Sequence, residues 1–422
     1  MPPHPAAERH ILFLFTAEYP YHRGDLFVAT EIGYIAAAFD EVRLYPYNPV
    51  EGAPRDIPAN ASIRLRPAHR QVRQVLMRHP LRVLRILWHE FRGTDRKRFF
   101  LRQLKLWTGY ACRAVEDADF LRAELQSPEV RDAQVSLYSF WMNEWPLALS
   151  DLRMRGLIGR FVFRSAGYDI FDERHAGHYL PFRYVNYEQT YRIFPNTGIG
   201  CEYIRRKQMF PEKVELRYWG TLDQGLNPWQ EDALFTLVSC SRVIPLKRVH
   251  LIVEILRHIP FRMRWIHLGD GEVFEDLQAR AAQLPAHIEW QLAGWVSNAQ
   301  ILDFYARTPV HLFITTSETE GLPVSIMEVL AFGIPVMATN VGGIPEEVGP
   351  ETGLLLEPDF DPAEAAQQLI RFKDSEMNTP AFRAGVRAYW ERLFRADVNF
   401  TRFAAELRGL GEQHPAQRLP NA

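Results

Sequence analysis

Ser317-Glu318-Thr319-Glu320-Gly321-Leu322-Pro323-Val324-Ser325-Ile326-Met327-Glu328-Val329-Leu330-Ala331-Phe332-Gly333-Ile334-Pro335-Val336 is the stretch that decides the fold. The apolar run 311–314 reads as a buried strand, Pro323 stands where a first helical residue belongs, and Gly333 with Pro335 marks the helix stop. The order is therefore strand, tight glycine turn, short helix, strand. Free backbone N–H groups at 322–325 then form the positive start of a helix at the mouth of a sheet, a setting that suits phosphate. Glu320 lies just outside that start. Glu328 falls more than a turn inside a helix otherwise made of Val324, Ile326, Met327, Val329 and Leu330, where a carboxylate calls for donors from a ligand. At the helical rise the two acids lie on the order of 10 Å apart, one on each side of a bound diphosphate. A nucleotide sugar has that layout, sugar hydroxyls at one end and ribose hydroxyls at the other. A bare pair at this spacing is equally read as a solvated loop acid and a helix-surface acid, so its neighbours decide.

Upstream stands Val238-Ser239-Cys240-Ser241-Arg242-Val243-Ile244-Pro245-Leu246-Lys247-Arg248, with Arg242 and Lys247 five apart. His267-Leu268-Gly269-Asp270-Gly271 follows, then Gly294-Trp295-Val296-Ser297. After the acids comes Val341-Gly342-Gly343-Ile344-Pro345-Glu346-Glu347. Together these five ordered segments, over roughly residues 235–350, resemble the signature of glycosyltransferase family 4. The resemblance implies an α/β fold of the GT-B kind, two doubly wound Rossmann-like parallel-sheet domains facing across a cleft. It assigns catalysis to Glu320, Arg242 and Lys247. It assigns donor binding to Arg242, Lys247, Gly269, Val296, Glu320, Gly321, Leu322, Pro323, Val324 and Glu328.

Length and composition fit two domains. The chain has 422 residues, 47% hydrophobic and 24% charged, which is ordinary for globular proteins and too long for one core. Short β-rich runs alternate with helical patterns at 11–15, 42–45, 135–140, 161–163, 234–240, 265–268, 311–314 and 335–339, as in parallel sheets with crossover helices. The charge-dense stretch 213–229 is the candidate linker. The expected divisions are an acceptor domain at 1–215, a donor domain at 216–378, and a C-terminal helix at 379–422 crossing back to the first domain. Cys112, Cys201 and Cys240 have no metal-like spacing and form no even-numbered framework, which predicts a reducing, cytoplasmic setting. The apolar run 11–15 is too short for a signal or membrane segment.

In the N-terminal half, Arg23, Gly24 and Asp25 follow the first strand and resemble the family's glycine-bearing loop. At Arg164-Ser165-Ala166-Gly167-Tyr168-Asp169, many family members read Arg-x-His-Gly; this chain has Ala166, and Gly167 and Asp169 are the remaining acceptor-side candidates. Asp169, His175 and His178 are near in sequence, each also readable as a structural side chain.

The resemblance implies retaining transfer from a nucleotide-diphosphate sugar to a hydroxyl of a glycan or lipid-linked acceptor, as in bacterial cell-surface polysaccharide synthesis. No enzymic nucleophile, cofactor or metal enters that scheme. The Asp-x-Asp at Asp117 and Asp119 sits in a helical pattern, and Asp361 precedes Pro362 as an N-cap. The alternatives are a silent nucleotide-sugar-binding or partner-binding homologue, to which Ala166 points, and a nucleotide-sugar epimerase.

Net charge is −2, but residues 64–113 hold fourteen Arg and Lys against two acids. No helix-turn-helix, RNA-binding or zinc pattern accompanies them, so nucleic acid is not the expected partner. Val72, Val75, Leu76, Val83, Leu84, Leu87, Trp88 and Phe91 recur at helical spacing opposite Arg73, Arg78, Arg82, Arg85 and Arg92, with Pro80 dividing two helices. Two readings follow: a core-packed helix pair with a solvated basic face, or docking on anionic lipid, peripherally on the inner face of the membrane.

Overall fold

The computed structural model describes residues 8–21, 26–49, 52–142, 144–230 and 233–418. It contains two six-stranded parallel sheets in two compact units, one of Met1–Arg217 with Phe400–Ala422, the other of Tyr218–Asn399. The first sheet is built from β1 (His10–Thr16), β2 (Glu41–Pro46), β3 (Ala61–Ile63), β4 (Gln134–Ser139), β5 (Val162–Ser165) and β6 (Arg192–Pro195), in the order β3-β2-β1-β4-β5-β6. The second is built from β7 (Thr236–Cys240), β8 (Met263–Leu268), β9 (Ile288–Leu292), β10 (Leu312–Thr315), β11 (Val336–Thr339) and β12 (Gly353–Leu356), in the order β12-β11-β10-β7-β8-β9. Central strands such as β1 are apolar at successive positions, Ile11 to Phe15 all being buried, because crossover helices cover both faces of a parallel sheet.

Around the first sheet, helices Val72–Arg78, Pro80–Gly93, Lys97–Arg102 and Leu104–Leu125 enclose their own core, in which Val83, Ile86, Phe100 and Trp107 meet Tyr179 and Phe182. Pro80 opens the second of these helices, where its missing N–H costs nothing. Two sequence expectations need correction here. Arg82 does not belong to a solvated basic face: its Nη1 donates to Asp119 at 2.8 Å and its Nη2 to the fully buried Asp151 at 2.6 Å. Conversely, Leu84 and Trp88 face solvent, 62% and 58% exposed, although their spacing resembles that of core residues. The first has a visible cause. Asp119 and Asp151 arrive from helices Leu104–Leu125 and Glu144–Met154, which the local period cannot reveal.

The stretch expected as a linker is anchored at both ends. Glu215 and Arg217 donate backbone bonds to Ile193 and Pro195 of β6, and the Lys213 ammonium donates to the Tyr187 and Glu188 carbonyls. Past the unit boundary, Thr221 bonds Phe394, and Asn227 donates to the Tyr305 and Thr308 carbonyls. The single C-terminal helix expected at 379–422 is two helices, Pro380–Leu393 and Ala396–Gly409, broken at Phe394 and Arg395, with a short turn of helix at Pro415–Arg418. In the first unit the returning chain lies against β4: Ser136 Oγ donates to the Leu407 carbonyl, and Val135 and Glu412 form a bridge.

Candidate functional site

In the second sheet the chain runs from β7 toward β8 and β9 on one side, while β10, β11 and β12 extend on the other, with β7 and β10 adjacent. Loops leaving the carboxyl ends of such neighbours diverge, and the crevice between them is where open α/β sheets bind ligands. Arg242 and Lys247 lie on the loop after β7, Glu320 to Pro323 on the loop after β10, and Val324 opens the helix that follows. The two loops are stitched together. Arg248, at φ +45, donates to the Thr316 carbonyl at 2.9 Å, Thr316 Oγ1 returns a bond to the Arg248 carbonyl, and Glu318 N–H donates to Leu246. Across the stitch, Lys247 Nζ lies 2.5 Å from Glu320 Oε1, which also accepts from Ser317 Oγ at 2.6 Å. Sequence reading places both residues at the site but does not foresee that they form one unit.

The helix after this loop is Val324–Ala331, and Pro323 is its N-cap rather than its first residue. Extended Pro323, with ψ 113, has no N–H to offer, so it sets the entry angle. The first internal bond runs from Ile326 to the Pro323 carbonyl, leaving the N–H groups of Val324 and Ser325 at the positive end of the helix. Glu328, one turn in, is half-buried, and burial raises its carboxyl above the usual range. Its Oε1 accepts from Asn298 Nδ2 at 2.7 Å. Asn298 opens the helix Asn298–Arg307, capped by Ser297 just after Val296, so the loop after β9 closes on Glu328. Cys240, at the end of β7, also feels that acid: burial first, then Glu328, pushes its thiol up to about 12.

Two glycines make these close approaches feasible. A Cβ on Gly269 (φ +145) would lie 1.9 Å from the Ser241 carbonyl oxygen, and one on Gly342 (φ +56) 2.0 Å from that of Glu320. Gly343 N–H donates to the Gly321 carbonyl at 2.8 Å, so the loop after β11 props the loop bearing Glu320. Behind it sits Glu347, which the sequence reading passes over as the tail of a glycine motif. It is fully buried, and neither carboxylate oxygen has a hydrogen-bond partner among the described residues. Burial, then Glu320 and Glu346, hold its carboxyl well above the ordinary range.

In the first unit, a cavity of about 610 Å³ opens at the carboxyl edge of the sheet, lined by Glu18, Trp141, Glu144, Tyr168, Asp169 and His175 among others. Asp169, on the short helix Gly167–Ile170, is buried and pushed up to about 7 by that burial, against a Met142 N–H that stabilises the charged form. Gly167 is buried against Arg174, and His175 Nε2 lies 2.6 Å from the Tyr168 carbonyl. His178 is not among the residues lining this cavity. Arg23, Gly24 and Asp25 lie outside the described residues. Ala166 caps the helix with no side-chain bond. Asp117 and Asp119 are engaged elsewhere, with His69 at 2.8 Å and Arg82, and Asp361 caps a helix by accepting from Ala363 and Glu364.

Fold and site together define an α/β protein with a phosphate-suited switch point in its second unit. Residues 228–386 match the family model for glycosyl transferases group 1, so this stretch carries a domain of that kind. WcaL of Escherichia coli strain K12, named for colanic acid biosynthesis as a glycosyltransferase, is 25% identical over 259 residues, 57% of this chain and 62% of WcaL. The match thus takes in less than two-thirds of the relative's own length. Among solved structures, the lipopolysaccharide outer core galactosyltransferase WaaB superposes with TM-score 0.64 at 14% identity, covering 94% of this chain and 99% of WaaB. Anabaena HepE in complex with UDP gives TM-score 0.62 at 14% identity, with coverage of 94% and 98%. The fold is that of the two-domain GT-B glycosyltransferases.

Proposed function

We propose that this protein is a retaining glycosyltransferase, moving a sugar from a nucleotide-diphosphate sugar to a hydroxyl of a glycan or lipid-linked acceptor in cell-surface polysaccharide synthesis. The observation that carries the reading is the Lys247–Glu320 pair at the switch point, beside a free helix start. As the anomeric bond to the diphosphate lengthens, negative charge grows on the leaving oxygens. Arg242, Lys247 and the N–H groups of Val324 and Ser325 are fixed donors for that charge, and Glu320 holds Lys247 in place. Glu328, braced by Asn298, accepts from ribose hydroxyls. The acceptor hydroxyl attacks from the face the nucleotide leaves and passes its proton to the departing diphosphate oxygen, so no protein nucleophile and no metal is part of the scheme. The bound UDP of HepE and the biosynthetic name of WcaL support a nucleotide donor and a polysaccharide setting. Attachment to an anionic membrane through residues 64–113 belongs to the same reading. Among the described residues, no helix is long and apolar enough to cross a membrane.

Calorimetry over common nucleoside diphosphates and their sugars tests the donor, and release of free diphosphate tests transfer. Glu328→Gln should weaken bare nucleotide at least several-fold. Diphosphate released only with acceptor supports the reading. Binding without turnover would favour the silent homologue that Ala166 suggests, and an altered sugar nucleotide without acceptor would favour an epimerase.

A further inference from the structure

The first unit has a second large cavity, about 1030 Å³, whose position and chemistry differ from those of the cavity at Asp169. Gly159 and Arg160 precede β5, and Tyr191 and Arg192 stand at the start of β6, so it opens at the amino edge of the sheet. Its lining holds five cations, Arg85, Arg153, Arg160, Arg192 and Lys213, against the two carboxylates Glu188 and Glu212. Glu188 is engaged by Arg92 and His89, each at 2.6 Å. Arg192 lies 3.8 Å from Glu215 and the Lys213 ammonium donates to two backbone carbonyls, while Arg85, Arg153 and Arg160 pair with no acid among the described residues. Arg160 and Arg192 stack on the Tyr191 ring at 4.9 and 4.7 Å, Arg85 donates to the Met154 carbonyl, and Arg153 to that of Ile158. They also crowd one another: burial, helped by Arg153 and Arg192, lowers the Lys213 ammonium below its ordinary range.

One wall of this groove is helix Pro80–Gly93. Arg85 and His89 point into the groove, while on the adjoining stripe Leu81, Leu84 and Trp88 are 76%, 62% and 58% exposed. Positions three and four apart share a helix face, so a ridge of large apolar side chains runs alongside the cationic groove. A soluble phosphate compound would use the groove and leave the ridge in water. A bilayer surface uses both, apolar side chains in the acyl boundary and cations on the headgroup phosphates.

We propose that this face docks on an anionic phospholipid bilayer, with the groove taking headgroup phosphates and the Leu81–Leu84–Trp88 ridge entering the interface. This rests on the reading of a lipid-linked acceptor but extends the cationic contact beyond residues 64–113, to Arg153, Arg160, Arg192 and Lys213. The full chain is sedimented at low salt with phosphatidylcholine vesicles, with and without phosphatidylglycerol. Arg160→Gln with Arg192→Gln should lower partition onto phosphatidylglycerol vesicles about thirtyfold, each charge near the surface being worth roughly a factor of five. Arg160→Lys with Arg192→Lys keeps the charge and should keep most of the binding. Leu84→Ser with Trp88→Ser should weaken partition onto both vesicle types. All four positions lie on the surface or its rim, and an unchanged melting temperature verifies that each variant folds.

Wild-type partition in the glutamine pair, or a wild type that ignores phosphatidylglycerol vesicles, overturns the proposal. So does an acidic oligosaccharide that binds wild type, fails to bind the glutamine pair and is not displaced by vesicles. Nucleoside diphosphate binding, measured on the same samples, separates the two claims. Its absence sinks the donor reading and leaves the vesicle result standing, and vesicle failure with intact nucleotide binding does the reverse.

Discussion

Lys247 and Glu320 act as a pair, so their substitutions should not add. Arg242→Ala and Lys247→Ala each remove a charge-assisted contact worth roughly 1.5 to 3 kcal/mol, so donor affinity should fall at least tenfold in each. Combined with Glu320→Gln, Lys247→Ala should show a coupling of about 0.5 kcal/mol or more, whereas Arg242→Ala, which pairs with no acid among the described residues, should combine nearly additively. Calorimetry on the two double-mutant cycles checks this; equal coupling in both defeats the pairing. Asp169 offers a test by pH. Its carboxyl is raised from an ordinary 3.8 to about 7 by burial, so between about pH 4 and 7 the unfolded chain gives up a proton that the folded one keeps. Stability from this group is therefore present at low pH and lost as pH rises through that window, by roughly 1.4 kcal/mol per pH unit at most. The stability of Asp169→Asn minus that of wild type should climb from pH 4 to 7 and then level off. A flat difference would mean that Asp169 ionises freely. Individual residues were legible in the sequence where a motif spans one loop, as at Arg242 and Lys247. Asn298, which braces Glu328, was not, because its bond depends on how the segments after β9 and β10 meet; nor was Ser317, whose bond to Glu320 depends on how their shared loop folds back on itself.

Among elements, the eight strands expected from the sequence all lie within or overlap observed ones, and the four it missed are β3, β6, β9 and β12. Those four are the edges of the two sheets. An edge strand is paired on one side only and less fully covered, so β3 and β9 lack the continuous apolar run that marks a central parallel strand, whereas β6 and β12 are apolar and this reason does not reach them. β3 has no fully buried residue, and β9 has one of five. The glycine turns were legible as motifs but not as contacts. Gly342→Ala places a methyl group against the Glu320 carbonyl in a left-handed backbone, so the loop bearing Glu320 must shift. The variant should fold with a loss of about 1 to 3 kcal/mol and bind nucleoside diphosphate at least tenfold more weakly. Gly321→Ala, with open space around its Cβ, is the control and should stay near wild type in stability. Equal behaviour of the two variants would exclude the propping role.

At the scale of the molecule, each unit has its own sheet and its own apolar core. Units built this way unfold as separate cooperative bodies, and a ligand stabilises the one that holds it. Heating should resolve two transitions in a calorimeter. A nucleoside diphosphate at a hundred times its dissociation constant should raise one of them, by about 2.7 kcal/mol in stability, and leave the other in place. A single transition that moves as a whole would contradict the assignment of the nucleotide to the second unit alone.

The first unit is sewn from two distant lengths of chain. His414 Nε2 lies 3.0 Å from the Val135 carbonyl, and Gln417 donates to the carbonyls of Val130 and Ala133. Between β6 and that closing segment the ribosome must make the whole of Tyr218–Asn399. The later-made sheet can therefore be complete while the earlier one still waits for its last piece, and Ser136 and Val135 of β4 remain without their partners until then. In a growing chain the order of completion is thus the reverse of the order of synthesis, and the half with the cationic groove and exposed ridge stays unfinished longest.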